Sequence, residues 1–170
     1  MSPQHEIAVP LTDAVGNPII STASYRLVFE DGGELGLFHN SRKPNFGVAL
    51  HQHSCAGSVV RYLDEALEPP NRIPGALVPY SDEELPPPWK WLHIDVVGYH
   101  ELLWTSIGTN ATGFTGEQDG QFIRLKLYNG DGIRAIQNGN QIRFVKDTLG
   151  KDSIRVKFLP VPLEANYPGY

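Results

Sequence analysis

The sequence predicts an all-β chain: a β-trefoil of about twelve short strands in three four-strand blocks, forming a single domain over residues 1–170. Three observations carry this expectation. The 17 Gly and 14 Pro are spread along the whole length, with aromatic and β-branched residues gathered in short runs between them, which favours strands and turns over long helices. The last third, residues 122–158, strings four alternating segments together at roughly ten-residue spacing with turn residues between them. Residues 25–63 carry a looser version of the same rhythm. At 170 residues with 41% hydrophobic content, one core is enough.

Residues 7–20 read as an extended arm entering a turn at 13–17, where Asp13, Gly16, Asn17 and Pro18 cluster. Tyr25-Arg26-Leu27-Val28-Phe29 alternates as a strand with Tyr25, Leu27 and Phe29 on one face. Asp31-Gly32-Gly33 then closes a hairpin into a strand over 34–39, because paired glycines supply the positive φ of a tight turn. Further strands are expected at 46–53 and 58–63, giving four strands before residue 75. Residues 75–80 could form another, whereas Ser81 is expected to cap a turn over 81–85 and Pro86-Pro87-Pro88 excludes a central strand. Residues 89–96 alternate, with Trp89, Trp91 and His93 on one face and Leu92, Ile94 and Val96 on the other. A strand at 102–108 follows, and 109–120 reads as a Gly/Thr/Asn-rich loop. The four closing strands, at 122–128, 132–136, 141–145 and 153–158, are joined by Asn129-Gly130-Asp131-Gly132, Asn138-Gly139 and Gly150 turns.

A formal charge of −5 argues against nucleic acid or an anionic membrane as the main partner, since both are approached through a basic patch. No run approaches the ~18 apolar residues of a membrane span. The start, Met1-Ser2-Pro3-Gln4-His5-Glu6, lacks a basic and then apolar leader, so the expected location is cytoplasmic, or secreted with a signal peptide absent from this chain. Cys55 is the only cysteine, so an internal disulfide is impossible and packing must hold the fold. A monomer is expected.

Three groups of residues invite a function. Glu68-Pro69-Pro70-Asn71-Arg72-Ile73-Pro74-Gly75 holds one long basic side chain among prolines. Proline fixes φ and pushes the preceding residue toward extended geometry, so this loop should lose little entropy when a partner grips it. His51-Gln52-His53-Ser54-Cys55 puts two imidazoles and a thiol on one strand face, the beginning of a metal site if His39, His93 or His100 joined them in a cupin-like protein. No Glu follows the pair closely, so the expectation is that no catalytic metal or other cofactor is bound. The acidic run Asp82-Glu83-Glu84 reads as a solvated face. Trp89, Trp91 and Trp104, with the 129–131 turn, could instead form the sugar platform of a lectin that binds glycans. Asn110-Ala111-Thr112 is a glycosylation acceptor pattern, relevant only to a secreted chain.

Several segments, taken in order, resemble the soybean-type Kunitz trypsin inhibitors. Asp13-Ala14-Val15-Gly16-Asn17-Pro18-Ile19 followed by Tyr25-Arg26-Leu27 is similar to that family's Asp-x-x-Gly-x-Pro-Leu stretch and Tyr-rich first strand. Pro70-Asn71-Arg72-Ile73 is similar to its Pro-x-Arg-Ile reactive loop. Trp91, Ser106-Ile107-Gly108 and Asp119-Gly120-Gln121-Phe122-Ile123-Arg124-Leu125 follow its later Trp, Ile-Gly and Asp-Gly-x-Phe-x-Leu positions. The resemblance implies a β-trefoil that is not an enzyme but an inhibitor of a trypsin-like serine protease, with Pro70, Asn71, Arg72, Ile73 and Pro74 as the protease-binding loop. It further implies a loop-supporting residue near Ser21, where the family carries a longer Asn. The chain departs from the family in its single cysteine, against two disulfides, and in a longer segment between Ser54 and Arg72.

Overall fold

The computed structural model describes residues 11–20, 23–39, 46–53, 57–61, 80–81, 91–95, 100–105, 112–127, 129–148 and 153–162. They form strands and turns, with no helix among them. In chain order the strands are β1 Ser24–Phe29, β2 Glu34–His39, β3 Phe46–Gln52, β4 Val59–Arg61, β5 Tyr80–Ser81 and β6 Trp91–Ile94. They continue with β7 Leu102–Thr105, β8 Phe114–Asp119, β9 Phe122–Leu127, β10 Gly132–Asn138, β11 Gln141–Asp147 and β12 Arg155–Pro160.

The pairing is that of a β-trefoil. Strands β1, β4, β5, β8, β9 and β12 lie in the wall of a barrel, joined antiparallel as β5–β4, β4–β1, β1–β12, β12–β9 and β9–β8. The other six strands form three hairpins, β2–β3, β6–β7 and β10–β11, which cap the barrel. The cap hairpins also touch one another: β3 pairs with β7, and Glu101 bridges to Val145 of β11.

Alternation in the sequence becomes alternation in burial. Along β9, Ile123, Leu125 and Leu127 are buried while Phe122, Arg124 and Lys126 are partly exposed. Along β6 the two predicted faces separate, Leu92 and Ile94 being buried and Trp91 and His93 partly exposed. Strand β1 is covered on both faces, since Val28 is buried together with Tyr25, Leu27 and Phe29. One cluster gathers these with Leu35, Val60, Trp104, Phe114, Ile133, Phe144, Val156 and Phe158, so every block of the chain feeds a common core. Residue pairs distant in sequence close it edge to face, as with Tyr25 and Phe158, whose ring centroids are 5.5 Å apart.

The expected 13–17 turn is present. The Asp13 amide donates to the Asn17 carbonyl at 2.8 Å, and its carboxylate accepts from the Val15 and Asn17 amides at 3.0 Å each. Gly16 sits there at φ 92°, a left-handed conformation that glycine adopts without steric cost. The turn is tied to the barrel by Ala14 donating to the Phe158 carbonyl, so the arm packs on β12.

One expectation is corrected. The 109–120 segment is not wholly a loop: β8 runs over Phe114–Asp119 in full register with β9. Its sequence, Phe-Thr-Gly-Glu-Gln-Asp, hides the strand because Phe114 is its one buried residue and 117–119 stand in water. A side chain at Gly116 would collide with Leu11 and Ile123, so close packing of the arm, not looseness, selects glycine there. Ser81 itself, in β5, pairs with Val60, and the rest of the expected 81–85 turn lies outside the described residues.

Candidate functional site

The structure offers one closed connection and one polar cluster. The connection is set by β4 and β5, which pair Arg61 with Tyr80 and Val60 with Ser81. Residues 62–79 therefore leave and return at adjacent backbone positions, and β4 is held from its other side by β1, through Ser24 with Arg61 and Tyr25 with Val60. This connection carries Pro70, Asn71, Arg72, Ile73 and Pro74. These five lie outside the described residues, as do Ser21, Cys55, Trp89, the 82–84 acidic run, the 86–88 prolines, Asn110 and the basic pair Arg42 and Lys43.

The polar cluster lies at the turn end of the β1–β2 hairpin. Strand β3 pairs with β2 so that His51 stands opposite Leu35 and Gln52 opposite Glu34, which carries His51 and His53 to the level of the 30–33 turn. Asp31 projects from that turn to meet both imidazoles: His51 Nε2 is 2.9 Å from Oδ1 and His53 Nε2 is 3.5 Å from Oδ2. The ring centroids of His51 and His53 are 4.3 Å apart. The side chain of His51 is only 7% exposed, whereas those of His53 and Asp31 are 59% and 55% exposed. His51 stacks on Phe29 at 4.8 Å, and Phe29 stacks in turn on Phe144 of β11 at 5.2 Å. Gly33 must lack a side chain here, since a Cβ would fall 2.2 Å from the Cε1 of the His51 ring.

The Gly33 amide donates to Asp31 Oδ1 at 3.0 Å and, with the two imidazoles, holds the Asp31 carboxyl below its usual range, against a smaller opposing effect of burial. Beside the cluster lies a cleft of about 270 Å³ lined by Phe29, Asp31, His51, Phe144 and Arg155 among others. Arg155 bridges Glu30 and Asp119, each at 2.5 Å, and these two carboxylates raise its pKa further.

Sequence reasoning paired His51 with His53 correctly and missed Asp31. Among the described residues the group that converges is Asp31, His51 and His53, without His93 or His100. The cupin-like arrangement is not the fold adopted. The lectin platform is also corrected at one residue, since Trp104 is fully buried and its indole donates to the Gly36 carbonyl at 3.2 Å. Trp91 is partly exposed. In the 129–131 turn Asn129 donates to Asp131 Oδ2 and accepts from the Asp131 amide, both at 3.0 Å, and Lys146 Nζ lies 3.8 Å from the same Oδ2.

No family model matches this chain, and no curated protein matches it. Solved structures do. The Water-soluble Chlorophyll Protein from Brassica oleracea var. Botrytis, with chlorophyll b, superposes with a TM-score of 0.72 at 16% identity, over 91% of this chain and 100% of that one. Trypsin inhibitor 1 from Senna obtusifolia gives 0.69 at 13% identity, over 96% and 95%. The soybean trypsin inhibitor, solved as a complex with porcine pancreatic trypsin, gives 0.66 at 13% identity, over 91% and 100%. At such identities the likeness is one of fold, and this chain shares with these inhibitors and binding proteins the β-trefoil.

Proposed function

We propose that this chain, folded as one β-trefoil domain over residues 1–170, inhibits a trypsin-like serine protease by substrate mimicry through the 70–74 segment. The observation that carries the reading is the Arg61–Tyr80 pairing, which closes residues 62–79 into a loop rooted in the barrel wall. Pro69, Pro70 and Pro74 stiffen that loop, and Arg72 is the long basic side chain between them. A rooted, proline-stiffened loop meets a protease with little entropy left to lose, which is how interfaces of roughly 1,600 Å² reach high affinity. Arg72 enters the acidic specificity pocket, and the Arg72–Ile73 peptide bond lies at the catalytic serine without efficient turnover. Pro70 and Asn71 line the adjoining subsites, and Ser21 backs the loop. The fold shared with two trypsin inhibitors supports the reading.

A residual-activity titration of trypsin with the purified chain, alongside one cysteine protease as control, tests it. Stoichiometric loss of trypsin activity with the control untouched is expected. If trypsin stays active while a glycan array retains the protein, the chain is a lectin instead.

A further inference from the structure

We propose that Asp31, His51 and His53 form a binding site for a late first-row divalent transition metal ion of the zinc class, an inference independent of the protease reading. Two neutral imidazoles and one carboxylate are the donors such ions prefer, whereas calcium and magnesium favour all-oxygen cages. Here the three donor atoms lie within 4.8 Å of one another. Ligands bound to one zinc ion at about 2.0–2.1 Å in a tetrahedron stand about 3.3 Å apart. The 2.9 Å from His51 to Asp31 Oδ1 and the 3.5 Å from His53 to Asp31 Oδ2 bracket that separation, and no donor pair exceeds 4.8 Å, so the side chains need draw in by no more than about 1.5 Å to share one ion.

Two of the three donors are already oriented by neighbours. The Gly33 amide fixes the Asp31 carboxylate, and the Phe29 ring, stacked at 4.8 Å, fixes the plane of His51. Such supporting contacts are what a metal site needs around its ligands. The ring protons also permit it. His51 Nδ1 is buried with no hydrogen-bond partner, and neither tautomer satisfies it. Moving the proton from Nε2 to Nδ1 therefore forfeits only the bond to Asp31, which a cation shared by both groups replaces. His53 and Asp31 open to water, so the remaining coordination positions face solvent and the ion has a direct path in.

Zinc chloride titrated calorimetrically into the full, untagged chain near neutral pH, with His53→Ala and Asp31→Asn beside it, decides the matter. One ion per chain is expected, with affinity at least about 10-fold weaker in each variant, and no heat from magnesium. Proton resonances of the His51 and His53 rings should shift on zinc addition while those of His93 and His100 stay. His53 and Asp31 are exposed, so both variants should keep the far-UV circular dichroism of the parent; should one lose it, the other and the ring resonances still decide. Absence of saturable uptake, or unchanged affinity in a folded variant, overturns the proposal.

Discussion

Replacing Trp104 with phenylalanine probes the joint between two hairpins of the cap. Trp104 lies on β7, is fully buried in the main core cluster, and donates its indole N–H to the Gly36 carbonyl on β2 at 3.2 Å, linking two different cap hairpins. Phenylalanine fills most of the space but lacks the donor. The lost hydrogen bond contributes about 1 kcal/mol. The smaller ring removes roughly 50 Å² of buried surface, about another 1 kcal/mol at 25 cal/mol per Å², with some addition for incomplete collapse. The sum is about 2–3 kcal/mol, which for a protein of this length lowers Tm by roughly 4–12 °C. Urea unfolding followed by circular dichroism should show a lower midpoint at unchanged slope. A loss under about 0.5 kcal/mol would refute the reasoning, because it would mean that neither the burial nor the bond is real.

Gly33→Ala should destabilise by about 1–3 kcal/mol, since the new Cβ would overlap the His51 ring and drive it off Phe29; an unchanged melting temperature would contradict the close approach. Asp31→Asn should cost under about 1 kcal/mol at neutral pH, as the group is largely exposed. Because folding lowers the Asp31 pKa, its stabilisation is present above the ordinary value of 3.8 and fades as pH falls through the lower folded value. The parent and variant stability curves should therefore converge as pH falls well below the ordinary carboxylate value, and a gap that widened on acidification would reverse the assigned sign.

Much of the fold is legible in the sequence because turn chemistry and alternation are local. Gly16 and the Asp31-Gly32-Gly33 hairpin stand where predicted, and Gly130 and Gly139 take the positive φ their turns require. Strand β8 was illegible because a strand with one buried side chain carries almost no hydrophobic period. Gly116 there looks like a loop glycine until Leu11 is seen lying over it. Trp104 could not be told from a surface platform by spacing alone, since its partner Gly36 is 68 residues away. The His51–His53 pair was visible as an alternation, but its carboxylate was not. Asp31 lies 20 residues upstream of His51 and reaches it only through the β2–β3 register. Contacts set by hairpin register leave no trace in local spacing.

The most direct test of the proposed inhibition compares wild type with Arg72→Glu against trypsin under identical conditions. A glutamate placed against the carboxylate of an acidic pocket, with little water to screen it, should cost several kcal/mol, so the inhibition constant should rise by at least about 100-fold. The melting temperature should hold, because the proposal has Arg72 displayed to solvent for a partner to grip. Equal inhibition of trypsin by the two proteins would contradict the account and move the reactive site to another loop, such as 40–44 with Arg42 and Lys43.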